Sequence, residues 1–474
     1  MTGPAAGYRP PAPEPHAQTL GLARLLKSLW SNPLEAWTEQ HFEQPVVVNR
    51  LAFGEVAVVS DPAAIQHVLV RNVDNYQKDS FQRRMLAVLA NGLLAAEGEQ
   101  WRTQRRTFAP IFSPRTVLNF APAMSAAVDA LVERWRKELD GRVLDVAAEV
   151  TDLTLDVLVR TIFSDGLGRD ATDVRHAMRI YFDRIGRIDP LDVMGVPNFV
   201  PRLGRLSVRS AERLFDEAVD TIIEVRRRRL AADPGSVPRD ILTLLLEAQD
   251  PETGRGISEA EVRANIVTFM AAGHETTANA IAWTVYLLSQ SQEWRERVRA
   301  EAARELGGPA DDLAERLIET RAVVEEALRL YPPLAAISRA AIEPDVVAGE
   351  RIGAGAMVVI APYVLHRHRR LWDRPDEFDP SRFLPERRKS IERYAYLPFG
   401  AGPRGCIGLV FALQEALLAV ANIAANFDLE PVAGHEVWPV HRVTLRPRGG
   451  LPMTMRKREP AKAGTVEPRS LAVA

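Results

Sequence analysis

The stretch Phe399-Gly400-Ala401-Gly402-Pro403-Arg404-Gly405-Cys406-Ile407-Gly408 holds the only cysteine of this 474-residue chain. The apolar run from Ile407 to Phe427 predicts a helix that starts at the cysteine. A helix N-terminus stabilises a thiolate through its partial positive charge and free N–H groups. Glycines let the loop approach a flat ligand, while Phe399 can shield the sulfur and Arg404 can meet an anion. The stretch therefore predicts a metal-ligating thiolate, and iron held by one thiolate fits best.

The spacing of the loop is more specific than a lone cysteine, which is by default a small buried hydrophobe or a free thiol. Positions 399, 402, 404, 406 and 408 complete the pattern Phe-x-x-Gly-x-Arg-x-Cys-x-Gly. This pattern resembles the haem-binding loop of the cytochrome P450 family, and the resemblance covers about Pro45 to Met455. It implies a mainly α fold with a smaller β region, and haem b with its iron bound by Cys406. Because no Cys-x-x-Cys-His occurs in the sequence, covalent haem attachment is not expected.

The composition is that of an ordinary globular protein, with 46% hydrophobic and 26% charged residues and a formal net charge of −2. This near-neutral balance gives no basic surface for nucleic acid. A single cysteine excludes an intrachain disulfide, so nothing demands an oxidising compartment. A cytoplasmic monomer is therefore expected.

The chain is expected to form a disordered lead at 1–18, one haem domain at 19–455 and a loose tail at 456–474. Residues 1–16 are rich in proline and alanine and lack the features of a secretion signal. The amphipathic segment 19–30 (TLGLARLLKSLW) is far shorter than the ~20 apolar residues of a membrane span. It predicts a helix packed on the domain, and no transmembrane segment is expected.

A second informative segment begins at Ser258, which forms a capping box with Glu261 and predicts a helix that runs to about Gln290. Near its middle this apolar helix carries two ionisable residues, His274 and Glu275. A transmembrane helix is disfavoured because an acid at the centre of a bilayer is costly. A zinc site of the His-Glu-x-x-His type is excluded because the second histidine is missing.

The middle of this helix, Ala272-Gly273-His274-Glu275-Thr276-Thr277, resembles the oxygen-binding groove of the distal helix in cytochromes P450. Gly273 leaves room beside the backbone, and a threonine hydroxyl that bonds back to a carbonyl one turn earlier can loosen a helix. Cleavage of the O–O bond of dioxygen needs two protons, which Thr276 backed by Glu275 would deliver as the catalytic pair. The alternative is a core helix whose Glu275 forms a salt bridge.

The resemblance also implies a buried support beneath the haem. Glu326 and Arg329 lie three residues apart in a predicted helix at 317–331, where alone they would form a weak surface pair. The segment Pro375-x-x-Phe378-x-Pro380-x-Arg382-Phe383 resembles the family segment whose arginine joins that pair. Glu326, Arg329 and Arg382 are therefore expected to lock the cysteine loop, without a role in proton transfer.

Haem carries two propionates that need cationic partners. The resemblance assigns these contacts to Trp101, Arg105, Arg339 and Arg404. His366 and His368 are weaker alternatives. The other expected cofactor-binding residues come from the long helix and the cysteine loop: Ala272, Phe399, Cys406 and Gly408.

By the same resemblance, substrate binds above the iron. The pocket would be formed by the segment before Trp101, the loop near 187–205, the long helix and the strand at 335–337. These segments are largely apolar and include Phe81, Leu86, Phe269, Ala272, Ala335, Ala336 and Ile337. The expected substrate is an apolar organic molecule such as a fatty acid, a terpenoid or a steroid-like compound.

The sequence contains no flavin or iron–sulfur motif. Electrons from NAD(P)H are therefore expected to arrive through a separate ferredoxin, flavodoxin or reductase. An acidic partner of this kind would dock on cations expected near the cysteine side of the haem: Arg102, Arg106, Arg387, Arg388, Lys389 and Arg393. The alternative for these residues is a solvated charged face.

Three hypotheses about function remain open at this stage. The leading one is a monooxygenase that uses dioxygen to hydroxylate its substrate. A second keeps the haem-thiolate but is driven by peroxide or rearranges an oxygenated substrate as an isomerase, and neither activity needs the relay of Glu275 and Thr276. A third is a non-enzymatic haem-binding or gas-sensing protein.

Overall fold

The fold is taken from a computed structural model of the chain. The structure describes residues 7–51, 54–86, 89, 91–138, 140–166, 209–308 and 312–458. The α-helices in these residues, numbered in chain order, are α1 Leu22–Ser31, α2 Pro62–Gln66, α3 Ser80–Leu86, α4 Gly98–Phe108, α5 Pro114–Leu118, α6 Ala121–Glu138, α7 Val146–Ile162, α8 Arg209–Ala232, α9 Ile241–Glu247, α10 Glu259–Gln290, α11 Gln292–Glu305, α12 Leu313–Arg316, α13 Ile318–Leu330, α14 Pro362–Leu365, α15 Pro385–Arg388 and α16 Leu409–Asn426.

The described strands are short and form one larger sheet and three small ones. They are β1 Val46–Leu51, β2 Gly54–Val59, β3 Tyr76–Gln77, β4 Val143–Asp145, β5 Ile337–Ala341, β6 Asp345–Val347, β7 Glu350–Ile352, β8 Met357–Ile360, β9 Phe427–Pro431, β10 Pro439–His441, β11 Leu445–Pro447 and β12 Pro452–Lys457. The larger sheet has the order β1-β2-β8-β5-β3, and only its β2–β8 pair is parallel. The others are β4-β12-β9, β6-β7 and β10-β11. The expected mainly helical fold with a smaller β region is confirmed.

Helix α10 is the centre of the fold. Its capping box forms as predicted, since the Ser258 N–H donates to the Glu261 carboxylate at 3.0 Å and the Ser258 side chain accepts from the Glu261 N–H. The helix packs against α7, α13 and α16. Every residue from Thr277 to Leu288 is buried, so the C-terminal half of α10 belongs to the core.

Helix α16 follows the cysteine loop and is also a core element. It is long and apolar enough to cross a membrane, but 67% of it is buried inside the protein. It packs against α6, α10 and α11. Its apolar sequence is therefore explained by burial among helices.

The N-terminal segment differs from the expected disordered lead. The Tyr8 hydroxyl lies 2.8 Å from that of Tyr286 on α10, and the Tyr8 carbonyl accepts from the Phe378 N–H at 2.9 Å. The Tyr331 hydroxyl donates to the Pro11 carbonyl at 2.8 Å. The prediction of disorder is therefore wrong for 7–16, because these residues are bonded to the domain. At the other end β12 continues to Lys457, and residues 459–474 lie outside the described part of the chain.

Candidate active site

The cysteine loop folds back on itself just before α16. The Cys406 N–H donates to the Phe399 carbonyl at 2.9 Å, and the Gly405 N–H donates to the Gly402 carbonyl at 3.0 Å. Gly402 has a φ of +71°, and a Cβ atom there would lie 2.1 Å from the Leu69 carbonyl oxygen. Only glycine fits this position, which fixes the loop against the helical segment after α2.

The thiol of Cys406 faces open space inside the fold. Its side chain is accessible to solvent, yet burial among protein atoms raises the pKa of the thiol. A side chain on the wall of an internal cleft is accessible to solvent and is also surrounded by protein atoms, which agrees with both observations. The Gly408 N–H and the Arg105 guanidinium act in the opposite direction and lower this pKa. A metal ion at the sulfur would remove the proton outright.

The helix after the cysteine starts later than predicted. Gly408 is the N-cap of α16, which begins at Leu409 rather than at Cys406. The turn between Cys406 and Leu409 places the Gly408 N–H close to the thiol. One free N–H of the helix end therefore still lowers the pKa of the thiol. A Cβ atom at Gly408 would meet nothing within 4 Å, which leaves room there for a bound group.

The predicted support beneath the loop is present and fully buried. Arg329 donates to both carboxylate oxygens of Glu326, at 2.7 and 2.8 Å, and neither side chain is exposed. Arg382 approaches Glu326 at 3.6 Å, and the Asp379 N–H donates to the same carboxylate at 2.8 Å. The expected network of Glu326, Arg329 and Arg382 therefore forms.

The network reaches the cysteine loop through His366. Arg329 donates to the His366 carbonyl at 2.7 Å, while His366 Nδ1 lies 3.2 Å from the Arg329 carbonyl. His366 Nε2 accepts from the Leu397 N–H at 2.8 Å, two residues before Phe399. His366 is fully buried in this role, and His368 bonds to the Gln44 carbonyl. The alternative of these histidines as propionate partners is therefore wrong.

Acid should weaken the fold through His366. Burial is the main reason that the pKa of His366 falls to about 3. An unfolded histidine has a pKa of ~6.5, so between these values only the unfolded chain binds the proton. Stability is then complete above about pH 6.5 and is lost as the pH falls, by up to ~1.4 kcal/mol per pH unit from this residue. Melting temperatures measured from pH 7 to pH 5 should fall less steeply in His366→Gln. An unchanged slope would contradict this assignment.

Three of the expected propionate partners, Trp101, Arg339 and Arg404, lie near one another at the N-terminal end of α4. The Arg404 guanidinium carbon lies 4.0 Å from the centre of the Trp101 ring, and Arg404 donates to the Ala96 carbonyl at 2.9 Å. Burial lowers the pKa of Arg404 to about 10, and Arg339 adds to the shift by repulsion. Burial likewise lowers the pKa of Arg105 and of Arg339. Arg404 and Arg339 are close enough to repel each other, and Arg105 is close enough to Cys406 to lower the pKa of its thiol, so an anion would stabilise these partly buried cations.

Lys78 belongs to the same cluster and was missed by the sequence analysis. Its ammonium group donates to the carbonyls of Ala95 and Ala96, at 3.0 and 2.8 Å. Burial lowers the pKa of Lys78 to about 8, and repulsion by Arg404 contributes. No local motif distinguishes this lysine, because its partners come from the segment just before α4.

The middle of α10 presents Thr276 to open space. Ala272 is exposed and Thr276 is half-buried, although residues on either side of this turn are buried. The Thr276 hydroxyl donates to the Ala272 carbonyl at 2.6 Å, as predicted. Thr268 and Thr284 make the same kind of bond, and α10 is continuous, so the bond alone does not mark a niche. Accessibility is what distinguishes Thr276.

Glu275 and Gly273 face other parts of the protein. The Glu275 carboxylate accepts from the Thr444 hydroxyl at 2.7 Å and from Arg446 at 3.4 Å. Among the hydrogen bonds of the described residues, none joins Glu275 to Thr276. A Cβ atom at Gly273 would lie 3.3 Å from Leu158, so the space beside this glycine accommodates α7.

Glu275 is the first residue of a stripe that binds the β10–β11 hairpin. Asn279 donates to the Thr444 hydroxyl at 3.1 Å, and the Trp283 indole donates to the Leu445 carbonyl at 3.3 Å. Residues 275, 279 and 283 recur every four positions and lie on one face of α10. Glu275 therefore has a structural contact besides any part in catalysis.

The expected pocket residues divide into two groups. Leu86, Phe269 and Ala335 are buried, and Phe269 packs edge-on against Phe112 at 4.9 Å between ring centres. Ala336 is exposed like Ala272, and Ile337 is half-buried. The predicted pocket loop near 187–205 lies outside the described residues. Buried members therefore contribute packing, and accessible ones remain candidates for substrate contact.

Several arginines of the expected docking patch are engaged within the chain. Arg106 binds both oxygens of the buried Asp250 carboxylate, at 2.6 and 2.7 Å. Arg388 pairs with Glu325. Arg102 pairs with Asp74 at 3.1 Å and Arg387 with Asp379 at 3.3 Å. Arg106 and Arg388 therefore hold distant segments of the chain together, and their part in docking a partner stays a prediction.

One cavity adjoins the cysteine loop, but the Cys406 thiol does not line it. Its volume is about 270 Å³, and its lining includes Val70, Tyr394, Gly402 and the exposed Arg393. Cys406, Ala272 and Thr276 do not line it. It is therefore separate from the reactive face of the cysteine.

The residues present fit a haem. An accessible thiol stands at a helix N-terminus, with open space where Gly408 lacks a side chain. Cations at 78, 105, 339 and 404 suit two propionates. The accessible turn of α10 at Ala272 and Thr276 provides a second wall for the site.

Comparisons with known proteins agree with this geometry. The family model described as Cytochrome P450 matches residues 10–452. Cyclooctat-9-en-7-ol 5-monooxygenase from Streptomyces melanosporofaciens is 34% identical, over 86% of this chain and 87% of that protein. Taurochenodeoxycholic 6 alpha-hydroxylase from Sus scrofa is 29% identical, over 85% of this chain and 82% of that protein. The crystal structure of the cytochrome P450DA heme domain is similar, with a TM-score of 0.78 at 27% identity, covering 96% of this chain and 99% of that chain.

Proposed function

Because this chain belongs to the cytochrome P450 family, we propose that Thr276 and Glu275 deliver the protons needed to activate dioxygen at a haem held by Cys406. The protein is a haem-dependent monooxygenase that hydroxylates apolar substrates with electrons from NAD(P)H through redox partners. When bound, the haem supplies the redox-active iron at which dioxygen is reduced. The accessible turn of Ala272 and Thr276, between buried stretches of α10, carries the proposal.

The chain's own residues divide the work. Cys406 would supply the thiolate ligand, and Phe399 would shield it. Arg105, Arg339 and Arg404 would bind the propionates, and Trp101 positions Arg404 by stacking. Lys78, which uses two of its N–H groups on the Ala95 and Ala96 carbonyls, would add a further positive charge near the propionates.

Thr276 and Glu275 are neighbours on α10 and have different parts in the proposed proton delivery. Thr276 holds a hydroxyl at the accessible face, with its proton directed at the Ala272 carbonyl. Glu275 lies at the β10–β11 hairpin with 24% of its side chain exposed, where it can exchange protons with solvent. A turn of the Glu275 side chain toward Thr276 would break its bond to Thr444 at 2.7 Å and its longer contact with Arg446 at 3.4 Å.

Thr276→Ala should lower oxygen-dependent product formation about 10- to 100-fold, while NAD(P)H consumption continues. The reason is that reduced dioxygen would leave without productive protonation. Turnover driven by added peroxide should largely survive. Thr284→Ala is the matched control, because it removes the same kind of helix bond from a buried site. Equal loss of the oxygen-dependent and peroxide-driven activities would contradict the proposed role of Thr276.

Glu275→Gln separates proton transfer from hairpin binding. Glutamine can still accept from Thr444 but cannot carry a proton. Oxygen-dependent turnover should therefore fall well below that of Asn279→Ala, which loosens the same hairpin without removing an acid. If the two variants behave alike, Glu275 is structural. That result, like the bonds of Glu275 to the hairpin, would favour the peroxide-driven or isomerase alternative.

The substrate we propose is a medium-sized or large apolar compound of the fatty acid, terpenoid or steroid-like classes. Accessible apolar positions at Ala272, Ala336 and Ile337 support this choice. Two relatives are named for cyclooctat-9-en-7-ol and for a taurochenodeoxycholic substrate. We further propose that the protein acts as a monomer in the cytoplasm and receives electrons from a separate ferredoxin, flavodoxin or reductase.

Arg393 is the best-placed contact for an acidic electron donor. It is exposed, and it lines the cavity beside Gly400, Ala401 and Gly402 of the cysteine loop. Arg393→Glu should slow reduction by the donor about tenfold at low ionic strength, and salt should narrow the difference. Arg351→Glu, on the separate β6–β7 hairpin, is the control. Equal reduction rates in the two variants would remove Arg393 from the docking surface.

A further inference from the structure

Helix α1 contacts the domain through the buried Ser28 and the half-buried Leu25, and its other large apolar side chains face outward. Ser28 is 8% exposed, whereas Leu22, Leu26 and Trp30 are 50%, 50% and 60% exposed. Leu29 is 42% exposed and extends the same outward surface. A surface helix of a globular protein normally turns its leucines inward. The sequence predicted a helix packed on the domain, but only Leu25 of its four leucines is partly buried, and the other three are exposed.

The outward surface is a continuous apolar stripe with a basic margin. At about 100° per residue, Leu22, Leu26, Leu29 and Trp30 fall within roughly 100° of arc. Beyond Trp30 the order around the helix is Ala23, Lys27, Ser31 and Arg24, before Ser28 at the protein contact. Both cations are exposed, and the helix contains no acidic residue.

The helix is held in this orientation by hydrogen bonds. Arg442 donates to the carbonyls of Trp30 and Ser31, at 3.2 and 2.8 Å. Asn32 donates to the Pro439 carbonyl at 3.1 Å and accepts from the His441 N–H at 3.0 Å. These bonds attach the end of α1 to the β10–β11 hairpin, the same element that binds Glu275. The apolar stripe is therefore presented on a firm support.

We propose that α1 docks the protein reversibly on a lipid bilayer that contains anionic phospholipid. The stripe would enter the boundary between headgroups and acyl chains, with Trp30 at that boundary and Lys27 and Arg24 at the phosphates. A second copy of the chain fits less well. Stacking two such stripes would bring the cations of both helices together, and α1 offers no carboxylate to receive them.

Vesicle flotation with the haem-loaded protein tests this directly. The wild type should float with vesicles of phosphatidylcholine that contain about a third phosphatidylglycerol, and bind pure phosphatidylcholine vesicles several-fold more weakly. The double variant Leu26→Ser/Trp30→Ser should bind the anionic vesicles at least about tenfold more weakly. Arg24→Glu/Lys27→Glu should lose the preference for anionic lipid. Ile342→Ser/Val346→Ser is the control, since these side chains are 48% and 59% exposed elsewhere, and it should bind as the wild type does.

Three results would overturn the proposal. One is a wild type that stays unbound at low salt. Another is undiminished flotation of Leu26→Ser/Trp30→Ser with an intact haem spectrum. The third is a wild-type dimer, seen by sedimentation velocity without vesicle binding, that this double variant converts to monomer, because the stripe would then be covered by a second copy.

Discussion

Replacement of Cys406 by serine is expected to remove oxygen-dependent hydroxylation almost completely. Serine keeps the size of the side chain and the bond from the residue 406 N–H to the Phe399 carbonyl. It cannot supply a thiolate, which is the only soft anionic ligand that the chain offers. Product formation with a reconstituted redox partner should fall to the background rate.

The cause of that loss can be separated from unfolding. The cations near residues 78, 339 and 404 remain in the serine variant, so some haem should still bind, with an altered spectrum. Circular dichroism should show unchanged helix content. A serine variant that retained a large fraction of wild-type hydroxylation would show that Cys406 is not the ligand.

Loss of the charge on Glu326 should produce the largest fall in stability. In Glu326→Gln, the buried Arg329 loses its bidentate partner, and Arg382 loses its nearest carboxylate. Uncompensated buried charge costs roughly 3–5 kcal/mol, a large part of the stability of a typical domain. Haem content should fall as well, because Arg329 also holds the His366 carbonyl and, through that histidine, the approach to the cysteine loop.

Glu319→Gln is the matched control for this experiment. It lies on the same helix and pairs with Arg297, but both side chains are partly exposed. The expected loss there is at most ~1 kcal/mol, since exposed pairs contribute little. Unfolding by denaturant measures both variants. Equal stabilities for Glu326→Gln and Glu319→Gln would contradict a supporting role for the buried network.

Local sequence signals predicted the elements that frame the site. The capping box of Ser258 and Glu261 marked the start of α10, because a helix end must satisfy its free N–H groups within a few residues. The spacing of Glu326 and Arg329, together with the segment around Arg382, marked the buried network. The loop around Cys406 could be predicted because its glycines and its cysteine stand at fixed spacings within ten residues, although the contact of Gly402 with Leu69 could not.

Long-range contacts could not be predicted in the same way. Arg106 looked available to a partner, and Asp250, which binds it, lies 144 residues further along the chain. Lys78 joins the cationic cluster only because the carbonyls before α4 fold over it. The role of Glu275 at the hairpin depends on Thr444, 169 residues away. Such partners are chosen by tertiary packing, which leaves no pattern in the neighbouring sequence.

We propose that Cys406 binds haem iron as a thiolate. The most direct test is the absorption spectrum of the purified, reduced protein exposed to carbon monoxide, with Cys406→Ser measured alongside. We predict a strongly red-shifted Soret band in the wild type and its loss in the variant. An unshifted Soret band in folded wild-type protein, or no haem binding despite supplementation, would contradict the claim.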